Sequence, residues 1–112
     1  SLTDNNSVIT AFGNDFGYDL IFKNQLISLF SEGDVLVIIS ASGNSTNIVE
    51  AVKWVNDNNG VSVGIIGFDG GKALQLCQHT IHCQSNKGEY GPVEDIHLII
   101  DHIINNYILE YV

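Results

Sequence analysis

Val35-Leu36-Val37-Ile38-Ile39 is an unbroken aliphatic run. It lies between the turn Glu32-Gly33-Asp34 and a stretch of small polar residues. No other segment limits the fold as strongly. The run is too short for a helix, and its β-branched residues favour a strand. It offers no polar position to water, so the strand is expected to be buried on both faces. That is the pattern of a parallel sheet covered by helices.

The rest of the chain fits that frame. Val61–Ile66 is a second β run and Thr80–Cys83 a short third one. Between the first two, a helix is predicted from about Thr46 to Asn58, with Ile48, Val49, Val52 and Val55 on one stripe and Asn59-Gly60 as its stop. Lys72–Cys77 has room for one or two helical turns. The last helix is predicted to start near Val93, with Val93, Ile96, Ile100, Ile103, Ile104, Tyr107, Ile108 and Tyr111 on its apolar side. Upstream, residues 7–30 read as two short helices broken near Asn14–Gly17. The order β–α–β–α–β–α predicts an α/β fold with a right-handed, doubly wound parallel sheet. Three strands make a small sheet, and the last helix has apolar surface to spare. Further strands are therefore expected, either N-terminal to Ser1 or from a partner. The start at Ser rather than Met fits a fragment.

The 112 residues form a single domain (1–112), and a 45% apolar, 15% charged composition can fill a core. Four lysines, no arginine and 13 acidic residues give a net charge of −9. That balance offers no electrostatic footprint for nucleic acid or an anionic membrane. No apolar run reaches a membrane span, and no basic stretch followed by a cleavable apolar segment appears in these residues, so export is not expected. Two cysteines do not make a disulfide scaffold. A cytoplasmic location is expected.

The loop Ser40-Ala41-Ser42-Gly43-Asn44-Ser45, between a strand and a helix, is the candidate site. Ligands of open α/β sheets bind at the carboxyl ends of strands. The unpaired N–H groups and dipole of the helix N-terminus attract an anion without basic side chains. Serine hydroxyls add donors, and Gly43 permits close approach. Phosphate is the natural ligand. The plainer reading is that Ser45 or Thr46 only caps the helix while Gly43 makes a turn.

Several segments together resemble a known family. They are Gly33-Asp34-Val35-Leu36, Ile39-Ser40-Ala41-Ser42-Gly43-Asn44-Ser45, Gly67-Phe68-Asp69-Gly70-Gly71-Lys72, Gly13-Asn14-Asp15-Phe16-Gly17-Tyr18 with Phe22, and Glu94-Asp95-Ile96-His97 with His102. In order, they resemble the sugar isomerase (SIS) domain family and, within it, the phosphoheptose isomerases. The resemblance implies a flavodoxin-like sheet, of which the chain is the C-terminal portion, and a homotetramer. It implies aldose–ketose isomerisation of sedoheptulose 7-phosphate to glycero-manno-heptose 7-phosphate through an enediol. By the same resemblance Ser40, Ser42 and Ser45 hold the phosphate and Asn14 and Asp15 meet sugar hydroxyls. His102 is the catalytic acid/base and Glu94 faces the same site, where the family usually has glutamine. A zinc ion is implied for some members, with Glu94 and His102 as ligands. Three departures stand out. The family's Gly-rich motif, with the His and the general-base Glu after it, is absent from these residues. Gly91-Pro92 replaces an Asp-Arg pair, and Ala41 replaces a threonine.

Other residues invite chemistry less strongly. His97 and Asp101 are spaced to pair on a helix, most simply as a surface or interface contact. Cys77, His79, His82 and Cys83 mimic a zinc cluster, but strand alternation splits His82 from His79 and Cys83. Trp54 reads as packing, Asp69 as a turn former, Lys72 as solvated surface, and Tyr90 as a residue able to close over a ligand. Two other functions compete with the isomerase: a non-catalytic SIS domain that binds a protein such as the replication initiator DnaA, and a sugar-phosphate sensor.

Overall fold

A computed structural model describes residues 1–112. Asn5 caps α1 (Asn6–Phe16) by accepting the Val8 N–H on its side-chain oxygen at 3.1 Å. Gly17, at φ +87°, ends it. A single 3-10 turn (Tyr18–Leu20) leads into α2 (Ile21–Leu29), which buries Ile21, Gln25 and Leu26. The break lies at the expected place. Asp34 then folds its carboxylate back onto the Ser31 N–H at 2.8 Å, closing the turn into β1 (Val35–Ser40).

The remaining elements are α3 (Thr46–Asp57), β2 (Val61–Phe68), α4 (Gly71–Leu76), β3 (His79–Gln84) and α5 (Tyr90–Tyr111). The three strands are parallel, in the order β1-β2-β3, with Val35 opposite Val61 and Val63 opposite His79. The α/β parallel class is thus as expected. Helix α5 starts earlier than expected because Pro92 sits in its first turn, where no intrahelical donor is lost.

Helices α3 and α4 cover one sheet face. Ile38, Val52, Ile66 and Ala73 form the central cluster there, and Leu26, Ala51 and Val55 join α2 to α3. Val52, Val55 and Ile66 are fully buried. Each such side chain contributes about 1.5–3 kcal/mol of transfer free energy. Trp54 packs edge-on against Phe30 with ring centroids 5.4 Å apart, the packing role read from the sequence.

The opposite face is different. Strand β1 is not buried on both sides: Leu36, Ile38 and Ser40 turn inward, while Val35, Val37 and Ile39 are 58%, 52% and 50% exposed. The cause is the path of α5, the helix on that side. It crosses β2 near its C-terminal end, where Val93 leaves no room for a side chain at Gly67, and it does not run along β1. Only Val93 and His97 of α5 are buried, and its later turns expose their apolar residues. No helix is long and apolar enough to cross a membrane.

Candidate functional site

Strand β1 delivers the serine loop to the carboxyl edge of the sheet. Ser40 is 8% exposed, and its hydroxyl oxygen accepts the Gly43 N–H at 3.0 Å. The Ser42 hydroxyl oxygen accepts the Asn44 N–H at 3.2 Å, and the Ser42 carbonyl accepts the Asn44 side-chain amide at 3.1 Å. Two of the three serines therefore hold the loop in shape.

A second loop locks the first. Between β2 and α4, Phe68 adopts φ +46°, a conformation that costs a bulky residue energy. The His82 ring nitrogen and the Ser85 N–H hold its carbonyl at 3.0 and 3.3 Å. Asp69 accepts the Gly71 N–H, as its turn role predicts. The Gly43 carbonyl accepts from Ala73 at 2.9 Å, and the Asn44 side-chain oxygen accepts from Lys72 at 3.1 Å. Gly43 has φ +62°, and any Cβ there would collide with the Gly70 carbonyl. A Cβ on Gly71 would strike Asn44 and Ser42 in the same way. Sequence reasoning placed both loops but missed this contact between them. The signal was the pair Gly70-Gly71, opposite Gly43 across one strand spacing.

The N-terminus of α3 emerges from this frame uncapped. Ser45 makes no side-chain cap, and Ile48 donates to its own neighbour Asn47 at 2.8 Å. The N–H groups of Ser45, Thr46 and Asn47 have no partner in the protein. Ser45 and Thr46 are exposed. A plain capping role for Ser45 is therefore not what the structure shows. Three unpartnered N–H groups and a helix dipole meet at this terminus, two of them on the exposed residues Ser45 and Thr46 and the third on buried Asn47, which suits a phosphate.

The other candidates lie apart from the loop. Asn14 and Asp15 sit at the exposed end of α1, with the Asn14 amide donating to the Asp15 carboxylate at 2.9 Å. No hydrogen bond joins them to the serines. Glu94 and His102 are exposed on α5, two helical turns apart. Tyr90 stacks edge-on against Phe68 with centroids 5.0 Å apart, beside the second loop.

His97 is the surprise on α5. It is a buried residue, 4% exposed, rather than a surface contact, and it makes no hydrogen bond to Asp101. Its Nε2 has no partner. It opens on a recess of about 370 Å³ lined by Ile39, Glu94, Leu98 and Asp101. Burial pushes the imidazole pKa below its usual value, with the Glu94 charge opposing. Burial also pushes the Cys77 and Cys83 thiols up, away from reactive thiolates.

A family model for the SIS domain matches residues 8–100. The chain belongs to the SIS domain family. The SIS chain is 40% identical over 104 residues to a phosphoheptose isomerase of Aliarcobacter butzleri, covering 93% of this chain and 54% of that protein. It is 39% identical to one from Aneurinibacillus thermoaerophilus, covering 93% and 52%. The structure of phosphoheptose isomerase from Neisseria gonorrhoeae superposes with a TM-score of 0.86 at 34% identity, covering 96% of this chain and 60% of that one. The chain thus spans about half the length of the curated relatives it matches.

The metal implied for some SIS members can be tested against these side chains. A zinc site needs at least three protein ligands. No three His, Cys, Asp or Glu side chains of this chain come together to hold a metal. Glu94 and His102 supply two donors at most, and the Cys77–Cys83 segment supplies no cluster. These residues alone do not fit a zinc centre.

Proposed function

We propose that this SIS domain is the C-terminal portion of a phosphosugar isomerase that converts sedoheptulose 7-phosphate to glycero-manno-heptose 7-phosphate. The observation that carries the reading is the uncapped α3 terminus, with three free N–H groups held by two interlocked loops. The phosphate sits on those donors and on the hydroxyls of Ser42, Ser45 and Thr46. Ser40 shapes the loop behind them.

Fixing the phosphate fixes the far end of the sugar, so the reacting carbons are presented in one orientation. Isomerisation removes a proton from the carbon beside the carbonyl and protonates the carbonyl oxygen, giving an enediol. Reversal at the neighbouring carbon completes it. An imidazole both gives and takes protons near neutral pH, and His102 takes that role. Glu94 faces the sugar from the same helix, and Asn14 and Asp15 meet its hydroxyls. The apolar residues exposed on α5, among them Leu98, Ile103 and Tyr107, support assembly into a homotetramer. A cytoplasmic enzyme accords with its substrate.

The test is turnover of sedoheptulose 7-phosphate by the natural full-length protein, with His102→Ala beside it. The variant is expected to lose at least about 100-fold in kcat. A full-length protein that leaves the sugar unchanged sinks the isomerase reading. An undiminished His102→Ala removes His102 from the mechanism.

A further inference from the structure

The turn after β2 carries an aromatic residue where turns of its kind take glycine. The Gly70 N–H donates to the Gly67 carbonyl at 2.9 Å, so Phe68 and Asp69 are the two central residues. Of these two only Phe68 has a positive φ, +46°. Glycine, asparagine and aspartate dominate that position, because a bulky side chain is strained there. Contacts from outside the turn hold Phe68 in it. The residue is buried, and Tyr90 packs edge-on against its ring. Its carbonyl meets the His82 Nε2 at 3.0 Å and the Ser85 N–H at 3.3 Å. A carbonyl only accepts, so His82 carries a proton on Nε2 and donates it. No other side chain from outside the turn hydrogen-bonds to it.

The serine loop rests on this same turn. The Gly70 carbonyl lies so close to Gly43 that a Cβ there would overlap it. Just beyond the turn, the Lys72 N–H donates to the Asn44 side chain at 3.1 Å and the Ala73 N–H to the Gly43 carbonyl at 2.9 Å. Gly43 and Asn44 directly precede the unpartnered N–H groups of Ser45, Thr46 and Asn47. Strand β3, which carries His82, lies two strand spacings from β1, about 10 Å away. His82 therefore acts on the serine loop through the turn and not by reaching a ligand itself. We propose that His82 is a positioning residue of the anion site. Its Nε2–H latches the strained Phe68 turn in the form that sets Gly43, Asn44 and the α3 N–H groups for a phosphate. The inference rests on the phosphate-binding part of the reading above and not on the isomerisation.

The test titrates the natural full-length protein with inorganic phosphate by calorimetry, as wild type, His82→Leu and His82→Gln, with a urea midpoint for each. His82 is exposed, so neither change opens the core. Leucine keeps the bulk and loses the donor, whereas glutamine keeps a side-chain N–H at similar reach. His82→Leu is expected to weaken phosphate binding about three- to tenfold, the worth of one ordinary hydrogen bond, and to raise KM for sedoheptulose 7-phosphate by a like factor. His82→Gln is expected to recover most of that loss. A purely structural role would lower the urea midpoint and leave the phosphate affinity of the folded variant unchanged, and that result overturns the proposal. An equal loss in both variants overturns it too, since the donor would then be irrelevant, as does a wild type that binds no phosphate. A wild type that binds phosphate with the expected dependence on His82, yet leaves the sugar unchanged, sinks the isomerase reading and upholds this one.

Discussion

Thr46→Pro tests the anion site more sharply than any hydroxyl deletion, because it removes one N–H and spares the helix. Thr46 is the first residue of α3, where proline is well tolerated and its fixed φ suits the helix. The preceding residue must avoid the α region, and Ser45 already has φ −59° and ψ 126°. No internal hydrogen bond is lost, since the Thr46 N–H has none. Folding stability is expected to hold, or to rise by up to about 1 kcal/mol through loss of unfolded-state freedom. A hydrogen bond to a charged group is worth about 1.5–3 kcal/mol, so affinity for a sugar phosphate should fall about 10- to 100-fold. Thr46→Ala, which keeps the N–H and loses only the hydroxyl, should fall less. Titration calorimetry with sedoheptulose 7-phosphate measures both, with urea midpoints as the folding control. Equal affinity in wild type and a well-folded Thr46→Pro would refute the claim that this N–H meets the ligand.

Three other perturbations probe the frame around the site. Gly43→Ala combines a left-handed backbone with a collision against the Gly70 carbonyl, and it should cost about 2–4 kcal/mol in urea unfolding; a loss under about 0.5 kcal/mol would show that the two loops are not locked. Ser62→Ala removes a fully buried hydroxyl that donates to Asn56 at 2.7 Å and accepts from Gln78 at 3.1 Å, so about 1–3 kcal/mol should go. The folded-state pKa of His97 lies below its ordinary 6.5, so its contribution to stability is complete above pH 6.5 and is lost as pH falls through the folded value. Glu94 and Asp101 face the same recess. His97→Gln should flatten the acid-side slope of urea midpoints between pH 7.5 and 5, and an unchanged slope would assign it to other groups.

Local pattern made the strands legible. The aliphatic runs at 35–39 and 61–66 became parallel neighbours because strand chemistry is written in consecutive residues. The serine loop was legible for the same reason, since strand, small polar loop and amphipathic helix follow one another directly. What escaped was set by distant packing. The exposure of Val35, Val37 and Ile39 depends on where α5 crosses the sheet, and nothing in the spacing of α5 encodes its crossing point. His97 looked like half of a helix-surface pair with Asp101, yet Val93 one turn earlier anchors the helix on Gly67 and carries His97 inward with it. The roles of Ser40 and Ser42 as loop braces depend on which way each hydroxyl turns, and residue type does not state that.

The charge of the chain completes the physical picture of the site. With a net charge of −9 and no arginine, the protein repels a sugar phosphate at long range. Binding must come from short contacts to N–H groups and hydroxyls, which lie within hydrogen-bond distance and are little affected by ions. The repulsion acts across the whole molecule, over a screening length of about 30 Å at 0.01 M salt and about 8 Å at 0.15 M. Adding salt therefore removes the unfavourable part and leaves the favourable part in place. Affinity for the sugar phosphate should rise as sodium chloride goes from 0.01 to 0.15 M, opposite to a site built on lysine and arginine. Sulfate is unsuitable for this experiment because it would compete for the α3 terminus. A steady fall in affinity over that range would mean that a basic side chain, of which Lys72 is the one adjoining the loop, holds the phosphate, and the backbone account of the site would fail.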